Sequence, residues 1–127
     1  MSSIDKQELI GHYIKAYNTF DIDSMLALLH PAIRFTNLSN GKITAQTAGK
    51  SEFESLARLS ATLYRTRAQT IKSLKITGDK VIAEIHFNAV LAKALSNDVK
   101  AGDKLILQGR SEFIFKDGLI WSIVDES

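Results

Sequence analysis

Apolar residues recur every three or four positions through Leu9, Ile10, Tyr13, Ile14 and Tyr17, a spacing that aligns them along one side of a helix. The pattern predicts a first amphipathic helix over residues 4–19. Phe20 is followed by Asp21, whose short carboxylate suits an N-cap. Ile22, Met25, Leu26 and Leu29 then mark a second, short helix, closed by Pro31, the only proline. The runs Ile33 to Asn37 and Lys42 to Gln46 flank Ser39-Asn40-Gly41, whose Asn-Gly step supplies the positive φ angles of a tight hairpin turn. Ser51 and Glu54 form a capping-box signature ahead of a third helix with the apolar face Phe53, Leu56, Ala57, Ser60, Leu63 and Tyr64.

The second half of the chain changes period. Strands are predicted over about 68–77, 80–94, 103–116 and 119–125, divided by Gly78-Asp79, a polar Ser96 to Gly102 loop and Asp117-Gly118. They read as an antiparallel meander, which makes the chain an α+β protein with its helices at the front. No repeat or linker composition divides it, so one domain over residues 1–127 is expected.

The two longest strands would run about 40 Å, whereas a helix of fifteen residues covers about 23 Å. Helices cannot blanket such a sheet unless it curves around them or packs its uncovered face on a twin. On the strand around residue 110, Leu105, Leu107, Gly109, Ser111, Phe113 and Phe115 face one way. Ile106, Gln108, Arg110, Glu112 and Ile114 face the other, a mixture that fits a sheet-to-sheet homodimer surface.

Composition narrows the chemistry. The chain is 45% hydrophobic and 24% charged, as expected of a globular protein of 127 residues, and no run approaches the ~20 apolar residues of a spanning helix. Met1 to Ile10 lacks the basic start and apolar stretch of a secretory signal, so a cytoplasmic location without membrane contact is expected. The absence of cysteine excludes disulfides, thiolate metal sites and a cysteine nucleophile. A net charge of +2 implies no nucleic-acid partner, and the one basic cluster, Arg65, Arg67, Lys72 and Lys75, reads as a solvated edge. Phosphate-binding glycine loops, a serine-hydrolase elbow and metal-ligand spacings are all missing, so no cofactor or metal is expected.

The element order, together with Tyr13-Ile14-Lys15-Ala16-Tyr17-Asn18, Leu26-Ala27-Leu28-Leu29, His30-Pro31-Ala32-Ile33-Arg34-Phe35 and Phe113-Ile114-Phe115-Lys116-Asp117-Gly118, resembles the nuclear-transport-factor-like superfamily. That superfamily includes SnoaL-like cyclases and ketosteroid isomerases. The resemblance covers nearly the whole chain. It implies a cystatin-like cone, with three N-terminal helices in the concavity of a curved, mostly antiparallel sheet, a deep apolar pocket and usually a homodimer. Members include isomerases, cyclases, epoxide hydrolases, dehydratases and proteins without catalytic activity.

Laid against ketosteroid isomerases, Tyr13 falls on the family's tyrosine, Asn37 on its basic aspartate and Ser111 on its protonated aspartate. Asparagine accepts no proton at neutral pH, so the chain departs from that isomerisation route. SnoaL-like cyclases place an acid/base aspartate near the end of the last strand, a place that Asp125 occupies here. On that strand Trp121, Ile123 and Asp125 share a face.

His86 lies between Glu84 and Asn88 on one strand face, a polar triplet in an apolar stretch. Two readings stand open. In one, that face lines the pocket and His86 pairs with Asp125 as an oriented general base. In the other, Val81, Ala83, Ile85, Phe87, Ala89 and Leu91 point at the helices and the triplet faces solvent or a partner subunit. A shift of one residue exchanges them.

The function expected is a pocket for a small, largely apolar ligand enclosed by Tyr13, Tyr17, Phe35, Phe53, Phe113 and Trp121. Asn37 and Ser111 orient the ligand, and His86, Asp125 and Tyr13 are the candidate catalytic residues, the first two for proton transfer. The rival is a non-catalytic association module whose cone is filled by its own side chains.

Overall fold

In the computed structural model, which describes residues 1–127, the predicted helical stripe becomes α1 (Ser3–Asn18). Its N-terminus is closed by a reciprocal pair, the Ser2 hydroxyl accepting from the Asp5 amide and the Asp5 carboxylate accepting from the Ser2 amide. Thr19 caps the C-terminus, and Phe20 just beyond it has a φ of 59°, the left-handed conformation usual for glycine after a helix. Asp21 caps α2 (Ile22–Ala27) by accepting from the Ser24 amide.

β1 (Leu29–Ser39) and β2 (Lys42–Ala48) form the expected hairpin, with Asn40 and Gly41 at φ 52° and 77°. Pro31 lies inside β1 instead of closing the second helix. It falls in an irregular stretch, between Leu29 and Arg34, of the pairing with the last strand, where a missing amide is tolerated. α3 (Lys50–Ala61) starts earlier than its apparent capping box. Gly49, at φ 87°, turns the chain out of β2 and serves as N-cap, while Glu52 reaches back to accept from the Ala48 amide.

The remaining strands are β3 (Tyr64–Thr77), β4 (Lys80–Leu91), β5 (Lys104–Lys116) and β6 (Leu119–Glu126). The sheet runs β2-β1-β6-β5-β4-β3, antiparallel throughout except for the parallel pair β1 and β6. β3 begins at Tyr64, four residues before the predicted start, and so takes in Arg67. Irregularities near Asn37, Thr66, Ser73 and Phe115 interrupt the ladders and bend the long strands around the helices.

Sixteen buried residues join the inner faces of α1, α2, α3 and the sheet in one core, among them Ile10, Met25, Ile33, Phe53, Val81 and Phe113. Asn18 fastens the end of α1 to β3. Its carbonyl accepts from the Gln69 amide at 2.8 Å and its amide donates to the Gln69 carbonyl at 3.1 Å. No helix is long and apolar enough to cross a membrane.

Candidate functional site

Asn37, Asp125 and Ser111 lie abreast on three neighbouring strands. Asp125 of β6 is registered against Asn37 of β1 on one side and against Ser111 of β5 on the other. The Ser111 hydroxyl donates to Asp125 Oδ1 at 2.6 Å, and the Asn37 side-chain amide donates to Thr44 Oγ1 at 2.7 Å. Burial pushes the Asp125 carboxyl up from 3.8 to about 6, against the opposing effect of the Ser111 hydrogen bond, which favours the ionised form. Tyr13 of α1 is 6% exposed and titrates well above the ordinary tyrosine range, first through burial and then through the charge of Asp125.

Asn37 and Asp125 of this row form part of the wall of a cavity of about 250 Å³. Tyr13, Tyr17 and Met25 come from the first two helices, Phe35, Asn37 and Ala45 from the hairpin, and Phe53, Leu56, Ala57 and Ser60 from α3. Phe35 and Phe53 meet edge to face, with ring centroids 5.7 Å apart, and set the aromatic side of the chamber. A second cavity of about 280 Å³ shares Tyr17, Asn37, Tyr64, Gln69 and Asp125 with the first. Asp125 therefore stands where an apolar inner chamber meets a more polar vestibule bounded by Gly109, Arg110 and Glu126.

Arg67 completes the inner wall, and its position is not a solvated edge. Arg65, Lys72 and Lys75 are exposed as expected, but Arg67 is only 5% exposed. Its guanidinium lies 3.7 Å from the Tyr17 ring centroid and 4.5 Å from that of Phe20, and its Nε donates to the Tyr17 carbonyl at 2.8 Å. Nη2 is buried without a partner. An irregularity in the pairing between Tyr64 and Thr66 resets the alternation of β3, so that Arg67 and Gln69 join Tyr64 on the cavity side. Strict alternation from Tyr64 would have turned Arg67 outward, so the sequence carried no signal for its place.

The sequence matches the SnoaL-like domain family over residues 10–123. The chain belongs to that family. Among proteins with curated descriptions none matches it. Solved structures share its fold: TsrD from Streptomyces laurentii, at 24% identity and a TM-score of 0.81, aligns over 99% of this chain and 90% of its own. A candidate polyketide cyclase from Xanthomonas campestris aligns at 23% identity and 0.81, over 97% and 90%. An LEH-like epoxide hydrolase from M. tuberculosis aligns at 15% identity and 0.76, over 97% and 82%. At these identities the likeness shows the fold alone.

The SnoaL-like chain brings Tyr13, Tyr17, Phe35, Asn37, Phe53 and Asp125 to the inner chamber, and Ser111 to the vestibule. Phe113 is instead packed in the core beneath, 1% exposed and edge to face with Tyr13 at 6.1 Å. Trp121 lines neither chamber. The irregular pairing between Ile114 and Phe115 lets both Ile120 and Ile123 point into the core, so alternation fails and the Trp121 ring lies 5.6 Å from Lys116 Nζ.

His86 is also outside. Val81, Ala83, Ile85, Ala89 and Leu91 are buried, which turns the Glu84, His86 and Asn88 face away from the helices. His86 Nδ1 is 2.6 Å from Gln108 Nε2 of β5, and the proposed pairing with Asp125 does not form. The apolar alternation of β4, not the ketosteroid-isomerase alignment, gave the correct register. No group of three or more His, Asp or Glu side chains is placed to hold a metal.

Proposed function

We propose that this SnoaL-like domain binds a small, largely apolar molecule in the joined chambers and moves a proton on it without a cofactor, with Asp125 as the acid/base. The observation that carries the reading is a carboxyl raised to about 6 on the wall of an aromatic chamber. At pH 7 such a group is mostly ionised, so it takes a proton from a carbon acid or hydroxyl and returns it later in the cycle. The Ser111 hydroxyl orients Oδ1, and Tyr13 and Asn37 are polar groups beside the reacting centre. Structural neighbours described as a polyketide cyclase candidate and an LEH-like epoxide hydrolase support an enzymatic reading of the chamber. The rival, a purely associative module with a filled cone, is disfavoured by the open chamber of about 250 Å³.

A second copy of the chain is the proposed partner for the outer face of β4 and β5, where Ile106 is 62% exposed beside Gln108 and Arg110. Sedimentation equilibrium tests this, a monomer at all concentrations being the contrary result.

The proton-transfer reading is tested with 2-acetylnaphthalene, a neutral aromatic ketone with exchangeable protons next to its carbonyl. In D2O at pH 7 the protein accelerates exchange of the acetyl protons above the buffer rate, and Asp125→Asn abolishes the acceleration while still binding the ketone. Equal exchange rates for the two proteins would remove Asp125 from the proposed role.

A further inference from the structure

We infer that the ligand of this cavity carries a carboxylate, and that Arg67 is the group that receives it. The inference rests on the small-molecule reading of the chamber and adds the chemical class that the chamber selects.

Arg67 is a buried cation without a counter-charge in the protein. The ion pairs of the structure join His30 to Asp117, Arg58 to Asp23 and Glu54, Lys80 to Glu112, and Arg110 to Glu126; none includes Arg67. Its neighbours are instead the faces of Tyr17 and Phe20 and the Tyr17 carbonyl, which holds Nε. Stacking leaves the planar edge of a guanidinium unsatisfied, and a buried N–H without an acceptor is unfavourable. Nε is the nitrogen already used and Nη2 is enclosed without a partner, which leaves Nη1 as the nitrogen a ligand in the chamber can reach.

A guanidinium N–H makes a charge-assisted hydrogen bond to a carboxylate oxygen, and the carboxylate supplies the counter-charge that a neutral carbonyl does not. The side chain is also held in place before any ligand arrives. The Tyr17 and Phe20 rings pack against it, and Asn18 ties its strand to the end of α1 two residues away, at Gln69. A site fixed in this way loses little side-chain freedom on binding. Arg67 and Asp125 line the same chamber without contacting each other as an ion pair, so a ligand can lie between them. Its carboxylate then meets Arg67, its ring meets Phe35 and Phe53, and its reacting carbon or hydroxyl is left at Asp125.

The test compares 2-naphthoate with 2-naphthamide, which share a ring and a shape and differ in charge, by titration calorimetry on the full chain at pH 7. The carboxylate is expected to bind at least ten-fold more tightly than the amide. Arg67→Gln is expected to abolish that preference with little change for the amide, and Arg67→Lys to restore only part of it because an ammonium does not stack on Tyr17 and Phe20 as the planar guanidinium does. An amide that binds as tightly as the carboxylate, in the unaltered protein, overturns the inference and leaves the small-molecule reading standing. Failure of both probes to bind overturns both. Because the unaltered protein decides, a variant that fails to fold does not protect the idea.

Discussion

Ser111 and Asp125 face each other across the β5 and β6 ladder, and the Ser111 hydroxyl donates to Asp125 Oδ1 at 2.6 Å. The bond favours the ionised carboxylate and burial favours the protonated one; burial prevails, because the carboxyl sits at about 6. Ser111→Ala removes the smaller influence and leaves the larger. The Asp125 carboxyl should therefore titrate still higher in that variant, as followed by the carboxyl carbon resonance against pH. A titration at or below that of the unaltered protein would contradict the balance described.

The same shift makes Asp125 a pH-dependent burden on stability. The folded chain holds the proton more tightly than the unfolded one, 3.8 rising to about 6, so stability falls as pH rises through that window and the loss is complete above it. The difference corresponds to about 3 kcal/mol. Arg67, Tyr13 and Tyr17 share the chamber with Asp125; Arg67 stays charged throughout the window, and both tyrosines are raised further above it. Asp125→Asn cannot ionise. Urea unfolding at pH 8 should show the variant more stable than the parent by up to about 3 kcal/mol, with most of the gap gone at pH 4. A gap that does not depend on pH would mean that Asp125 is not desolvated.

Gly109 permits the close approach of β5 to the end of β6. A Cβ there would stand 2.6 Å from the Glu126 carbonyl oxygen, a backbone atom that cannot swing aside. Gly109→Ala should lower stability by about 1–3 kcal/mol, read from the urea midpoint. It should also weaken binding of 2-acetylnaphthalene, because displacing Glu126 moves its neighbour Asp125. An unchanged midpoint would show that the strand ends separate freely.

His86 offers the opposite expectation. Its partner is Gln108 on the outer face, and it lines neither chamber. His86→Ala should change stability by less than about 0.5 kcal/mol and leave the affinity for 2-acetylnaphthalene as it was. A several-fold loss of affinity would place His86 at the ligand after all.

Local physics wrote the element order into the sequence. The three-and-four spacing through Tyr13 and Tyr17, the Asp21 cap, the Asn40-Gly41 turn and the alternation of β4 each depend on neighbours within a few residues, so each was legible. The ends of the elements were less so. Ser51 and Glu54 carry a capping signature, yet the positive φ of Gly49 starts α3 earlier, and the pairing of Tyr64 with Leu91 draws the start of β3 into what read as helix.

The chamber belongs to the tertiary structure. Asp125 and Asn37 become neighbours through a parallel pairing of β1 with β6, and that pairing joins residues 88 positions apart in the chain. Trp121 leaves the pocket through an irregularity that two strands create together, and Arg67 enters it because Tyr17, Phe20 and Asn18 close over β3. A charge, a carboxyl or an aromatic ring takes its chemistry from the dielectric and the partners around it. Those are fixed only when distant strands and helices meet.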